Sequence, residues 1–271
     1  MILACEKSIT VPLEKTFYEP KLMIFGSASP LSGAQVIIRF SEPIAGIDSI
    51  PELSDFEVAI SSEKGREYNL REDSTGYFSL PGDSILLNPE ESYQLRVTNL
   101  STGEMHTSST VQLPETPKIS EVSLDVDTST RTSLVHTTLG EVKSVIEALS
   151  FSVSRLDSTK RDLENRKFKT RIQGPNIIYP DQEIWRSKKF SQQINNFVRT
   201  EDGGIIKAYY IDVVVTFFSE DLARFARDIN ETNYYGEDIF QLVRPVYSNI
   251  EEGHGIFGLF NEASVRLKLI N

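Results

Sequence analysis

The residues with the most chemical potential in this chain are few and scattered. Three histidines, His106, His136 and His254, stand in separate segments, and no H-x-H or H-x-x-x-H pair supplies the spacing from which zinc sites are built. The one cysteine, Cys5, excludes an internal disulfide and a cysteine-based metal cluster. Near the C-terminus Gly253, Gly255 and Gly258 spell G-x-G-x-x-G, a turn that elsewhere brings backbone amides and a helix N-terminus onto a pyrophosphate. That chemistry requires a strand before the glycines and a helix after them. Here Asn261 to Ser264 read as a turn, and Val265, Leu267 and Leu269 alternate with Arg266 and Lys268 as in a strand, so the helix is missing.

Carboxylates are plentiful, but a glycosidase needs two of them at a fixed separation across a cleft, which linear spacing does not provide. No G-x-S-x-G elbow occurs. The acidic stretches Asp48 to Asp55 and Glu251 to Glu252 offer oxygen ligands for calcium, yet neither matches an EF-hand loop. Trp185, the only tryptophan, reads as a half-buried packing residue, with a binding platform as the alternative. No catalytic residue, metal site or cofactor is therefore expected. What remains is the run Tyr247 to Phe260. Asn249, Glu251, Glu252 and His254 form a candidate exposed loop for contact with a partner. Gly253, Gly255 and Gly258 read as structural glycines that permit a tight or positive-φ path between the last strands, with Ile256 and Phe257 closing the core of a second domain.

The elements that must position this run are mostly strands. Lys21 to Ser27 and Gln35 to Ser41 are short β-branched and aromatic runs around the turn cluster Ser29 to Gly33. Phe56 to Ile60 and Glu67 to Leu70 flank Glu63-Lys64-Gly65, a hairpin signal. Gly76 to Leu80 follows, and then Ser92 to Val97 alternates strictly, placing Tyr93, Leu95 and Val97 on one face. Short strands with frequent turn signals imply a sandwich over residues 21–114. Pro114 and Pro117 bracket a linker, because proline stiffens the chain and denies it ladder donors. A second, β-rich domain is expected over 118–271, with strands beginning at Ile119, about Leu149, and Ile205. It carries one amphipathic helix near 219–231: Ser219 reads as its N-cap, Glu220 and Asp221 suit its first turn, and Leu222, Phe225, Ala226 and Ile229 form a stripe.

Composition bounds the partners. With 39% apolar and 25% charged residues the chain is of ordinary globular make-up, and 39 acidic against 28 basic residues give a net charge of −11. No basic stripe interrupts that field, so nucleic acid is not expected as a partner. The densest basic stretch, Lys160 to Arg171, is diluted by Asp162 and Glu164. At the N-terminus Leu3-Ala4-Cys5 has the form of a bacterial lipobox, with Cys5 as the lipidation site and residues 1–20 as lipobox and tether.

Taken in order, several of these segments resemble one family. The chain is similar to the lipoproteins of Bacteroidota grouped as domain of unknown function 4249. The likeness rests on Leu3-Ala4-Cys5-Glu6, the first strand Lys21 to Gly26, the segments Gly76 to Phe78 and Tyr93 to Val97, and the helix after Ser219. Above all it rests on Ser248-Asn249-Ile250 leading into Gly253-His254-Gly255-Ile256-Phe257-Gly258. The resemblance implies an envelope lipoprotein held at the outer membrane through Cys5, encoded near a TonB-dependent transporter, with an immunoglobulin-like or transthyretin-like N-terminal sandwich. The expected function is that of a non-enzymatic accessory protein binding such a transporter or its ligand. An envelope hydrolase acting on glycans or peptides and a structural or adhesive surface module are the alternatives.

Overall fold

The structure, a computed structural model, describes residues 20–41, 52–53, 55–127, 129–157, 159, 177–199, 204–235 and 245–269. The lipobox and the tether up to Glu19, most of Asp48 to Asp55, and Lys160 to Arg171 lie outside them. In the first half the strands are β1 (Leu22–Ser29), β2 (Gly33–Phe40), β3 (Phe56–Ser62), β4 (Glu67–Asn69), β5 (Arg71–Ser74), β6 (Tyr77–Leu80), β7 (Ser92–Asn99), β8 (Met105–Thr107) and β9 (Val111–Gln112). In the second they are β10 (Ile119–Asp127), β11 (Thr132–Leu139), β12 (Ala148–Leu156), β13 (Ile177–Ile178), β14 (Lys189–Asn195), β15 (Phe197–Arg199), β16 (Ile205–Lys207), β17 (Tyr210–Phe218) and β18 (His254–Lys268). A one-turn helix α1 (Glu183–Ser187) and a longer helix α2 (Glu220–Tyr235) complete the elements. Among the described residues the protein is mainly β, with one long helix.

One sheet organises the rest. Its eight strands run β13-β12-β17-β18-β1-β2-β6-β5, so that β18, from the far end of the sequence, lies beside β1. The β1–β18 pairing is parallel, with Met23 opposite His254 and Ala28 opposite Leu259. The two halves expected from sequence thus share a single sheet. A second sheet, β4-β3-β7-β8 with β9 on β7, shares a core with the β1–β2–β6 side. Ile24, Val36 and Ile38 from the large sheet meet Val58, Ile60, Tyr93, Leu95 and Val97 from the smaller one. The Tyr93, Leu95, Val97 alternation in β7 is what buries that face. A three-stranded sheet, β10-β11-β14, packs in the same way on the β12–β17 side, where Val135, Phe190 and Ile194 meet Phe151, Val153, Ile211, Val213 and Phe217. Each such side chain, fully buried, stabilises the fold by roughly 1.5–3 kcal/mol relative to exposure.

Strand β18 belongs to three cores because its side chains alternate across the sheet. Phe257 and Leu259 enter the first sandwich, and Ile256 and Phe260 point to the opposite face, where Leu222, Ala223, Phe225 and Ala226 of α2 cover the sheet. Leu269, just after the strand, is buried in the core under the three-stranded sheet. Asn261 sits where the first core gives way to the second. It is buried, and its Nδ2 donates to the Pro114 carbonyl at 3.1 Å and to Thr116 Oγ1 at 3.0 Å, fastening the proline linker across the seam.

Three expectations change. Asn261 to Ser264 form no turn, because β17 pairs with β18 continuously from Tyr210–Lys268 to Phe218–Phe260. Gly255 and Gly258 lie inside β18 rather than in a loop. Phe257 closes the first core, not the second, and Ile256 lies under α2. Asp212 faces Arg266 across the β17–β18 ladder, with Nε to Oδ1 and Nη2 to Oδ2 both at 2.6 Å. Ser219 does precede α2. Its hydroxyl accepts from the Leu259 N–H at 3.0 Å, so it ties the start of the helix to β18.

Candidate functional site

The segment 247–260 links the two sheets of the first sandwich. Its early part lies along β8: Ser108 bridges Ile250, the Ser109 N–H donates to the Asn249 carbonyl at 2.7 Å, and the Glu251 N–H donates to the Thr107 carbonyl at 2.7 Å. After a turn at 251–253 the chain enters the large sheet as β18. Asn249, expected in an exposed contact loop, is instead buried. Its Nδ2 donates to the Phe257 carbonyl and its Oδ1 accepts from the Phe257 N–H, both at 2.9 Å, so the amide replaces a ladder partner. The reason is that the chain changes sheets here, and the backbone groups left over must be satisfied by a side chain.

The glycines are sites of close approach. A Cβ on Gly255, whose φ is +127°, would lie 1.8 Å from the Ile24 carbonyl oxygen of β1. A Cβ on Gly258 would lie 2.5 Å from the Cβ of Leu222, where α2 crosses the sheet. At Gly253 a Cβ would meet Ile250 Cγ2 at 2.9 Å.

The same turn borders a cleft of about 510 Å³ at the end of the sandwich where Pro20 and Lys21 enter. Leu22, Phe40 and Phe56 contribute its apolar wall, and Glu104, His106, Glu252 and His254 much of its polar one. Two histidines that are 148 positions apart, from His106 to His254, thereby line one depression. His106 pairs with Val97 from β8 and is only 4% exposed; its Nε2 stands 3.5 Å from Glu104 Oε1, while Nδ1 is buried without a hydrogen bond among the described residues. A buried polar atom of this kind is uncommon in native folds. Glu252, at φ +54°, holds a left-handed backbone that costs a non-glycine residue some strain, and its side chain is exposed at the cleft with that of His254. Glu251 turns away and accepts from Thr107 Oγ1 at 3.1 Å. Of the four expected contact residues, Glu252 and His254 line the cleft. Among the described residues no group of three or more His, Cys, Asp or Glu is arranged to hold a metal ion.

A second cluster joins residues the sequence keeps far apart. His136 on β11 is directly opposite Ser191 on β14 and Ser123 on β10. Its Nδ1 lies 2.8 Å from Ser191 Oγ, and its Nε2 3.2 Å from Asp125 Oδ2. The three groups form one hydrogen-bonded row across the outer face of the three-stranded sheet. Beside it, Asp125, Leu134 and Gln193 border a shallow recess of about 300 Å³.

With this geometry in place, comparison with known families assigns the chain. Residues 6–266 match the family described as Domain of unknown function (DUF4249). The chain belongs to the DUF4249 family. No curated protein matches it. Among solved structures it is similar to a two fibronectin type-III domain segment from chicken tenascin, at 14% identity over 92% of this chain and 99% of that one, with a TM-score of 0.23. The FN1–FN3 domains of chicken CNTN1 match at 13% identity over 73% of this chain and 60% of that one, TM-score 0.23. Beta-glucuronidase 3 of Bacteroides uniformis matches at 10% identity over 72% and 23%, TM-score 0.20. Scores this low carry no weight for fold or function.

In this DUF4249 chain Trp185 is half-buried and packs against the second core, beside Leu139, Val142 and Ile146. Among the described residues no helix is long and apolar enough to cross a membrane. The Ser191–His136–Asp125 row left no trace in sequence spacing, because cross-strand neighbours depend on register. Only the polar alternation of Ser123 and Asp125 in β10 hinted at a solvent-facing side.

Proposed function

We propose that this DUF4249 protein is a lipid-anchored accessory protein of the cell envelope, held at the outer membrane through Cys5, which binds a TonB-dependent transporter or the ligand that transporter handles. The observation that carries the reading is the position of the cleft. Pro20 and Lys21, where the chain arrives from Cys5, line the same depression as Glu252 and His254. The fifteen residues from Glu6 to Pro20 reach at most about 50 Å when extended, which keeps that end of the sandwich near an anchoring surface. Acyl chains on Cys5 would add about 0.8 kcal/mol per buried methylene, and more than one chain makes the anchor stable. The mixed wall of the cleft, apolar at Phe40 and Phe56 and charged at Glu104 and Glu252, suits a partner segment with both kinds of group.

Two measurements test this. Mass spectrometry of the mature protein from its native envelope should find an acylated cysteine, Cys5, at the N-terminus; an unmodified or different N-terminus removes the anchor. Affinity capture from detergent-solubilised envelopes should recover a transporter with the unaltered protein and less of it with Glu252→Lys or Glu104→Lys. Repeated absence of any transporter would overturn the partner assignment.

A further inference from the structure

The row on the three-stranded sheet carries a different capacity. We infer that Ser191, with His136 as its base and Asp125 behind it, is a nucleophile that accepts acyl groups from small activated esters bound over the recess at Leu134 and Gln193. A nucleophile within hydrogen-bond reach of a base that a third group orients is the arrangement that activates serine on unrelated folds. Here the distances are 2.8 Å from Ser191 Oγ to His136 Nδ1 and 3.2 Å from His136 Nε2 to Asp125 Oδ2. The Asp125 carboxylate favours the ring proton on Nε2, which leaves the Nδ1 lone pair to accept from the Ser191 hydroxyl. Ser191 Oγ attacks the ester carbonyl as its proton passes to His136 Nδ1, and Asp125 stabilises the imidazolium. The tetrahedral adduct collapses, the C–O bond to the alcohol breaks, and His136 returns the proton to the leaving oxygen. Water then adds to the acyl-serine by the same route and releases the acid.

The neighbouring row supplies the rest. Asp125, Leu134 and Gln193 are opposite one another in register, one step along the face from Ser123, His136 and Ser191. Leu134 provides an apolar floor of the recess, which suits a short acyl group. Gln193 Nε2 gives one N–H to Thr132 Oγ1 at 3.4 Å and has a second, the kind of donor that holds an oxyanion. The other charged groups that register places on this face are Glu121 and Asp127 on β10 and Lys189 on β14. Exposure sets the scale. The side chains of His136 and Asp125 are 39% and 76% exposed, so water screens the carboxylate and its charge adds no more than about fivefold in rate. Proton transfer to His136 is worth on the order of 100-fold, the low end for a positioned base. Activated esters are therefore the substrates, and Ser191 and His136 the catalytic pair, with Asp125 a positioning residue.

The full chain is treated with a fluorophosphonate probe, the modified peptide is identified by mass spectrometry, and hydrolysis of p-nitrophenyl acetate is followed in parallel. The adduct is expected on Ser191. Ser191→Ala should abolish it, His136→Gln slow it about 100-fold, and Asp125→Asn about fivefold, with recovery in Asp125→Glu. All three positions face solvent, so circular dichroism should show folded variants. Absence of a Ser191 adduct, or labelling that is equal in wild type and His136→Gln, would overturn the assignment.

Discussion

The side-chain amide of Asn249 bonds both the N–H and the carbonyl of Phe257, eight residues further along the chain, at 2.9 Å each. This pair is the hinge of the sandwich: Asn249 is aligned with β8 in one sheet and Phe257 with β1 in the other. Both residues are buried, so water cannot replace either bond.

Asn249→Ala should cost about 2–6 kcal/mol, from two buried backbone groups left unsatisfied at about 1–3 kcal/mol each. Urea unfolding should show a lower midpoint with an unchanged slope, because the surface exposed on unfolding stays the same. A midpoint equal to wild type would remove Asn249 from this role.

Gly255→Val should prevent folding or destabilise by more than about 4 kcal/mol, since a β-branched side chain would have to share space with the Ile24 carbonyl at a positive φ. Gly258→Ala should cost less, about 1–3 kcal/mol, because α2 can shift away from β18. His254→Ala, two residues before the Ile256 that α2 covers, should leave stability within about 0.5 kcal/mol. Thermal unfolding of the three variants gives the order.

Tyr247 fastens the chain to α2. Its hydroxyl donates to Asp221 Oδ1, its backbone N–H donates to Asp228 Oδ2 at 2.8 Å, and the Arg224 guanidinium lies 4.2 Å from its ring centre. Burial first, and the bond to Asp221 second, push its phenol up to about 12. A group with a raised folded-state value contributes stability that is complete below its unfolded value of about 10 and is lost as pH climbs through 12. Burial raises Tyr93 and Tyr179 as well, so ultraviolet titration should show a group of late-ionising tyrosines, and Tyr247→Phe should reduce that group by one at a cost of about 1 kcal/mol.

Glu91 contributes in the opposite pH direction. Its side chain is 3% exposed and bonded to Arg66 and, at 3.1 Å, to Lys64. The bond from Arg66 is the main cause that holds its carboxyl below the usual range. The stability it provides is complete above the ordinary carboxylate value of about 4.3 and disappears as pH falls through the depressed one. Melting temperatures of wild type and Glu91→Gln should differ at neutral pH and converge in acid.

Much of this protein follows from sequence because much of it is local. Strict alternation at Tyr93, Leu95 and Val97 fixes a half-buried strand whatever it packs against, and the stripe of Leu222, Phe225, Ala226 and Ile229 fixes a helix with one buried side. Glu63-Lys64-Gly65 sets a hairpin, confirmed by the β3–β4 ladder and a φ of +81° at Gly65. The run Ser248 to Gly258 stood out as a signature from its residues alone. What those residues do was decided by tertiary structure. Gly255 and Gly258 are required by a strand and a helix more than 200 and more than 30 residues away respectively, Ile24 and Leu222. Asn249 looked like a polar loop residue until a change of sheet made its amide a backbone partner. Asn261 to Ser264 looked like a turn because polar composition signals one, whereas the ladder from β17 overrode it and used Asn261 to hold the linker. The His106–His254 cleft and the Ser191–His136–Asp125 row arise from strand order and register, which are set by non-local pairing energy, and no spacing along the chain encodes them.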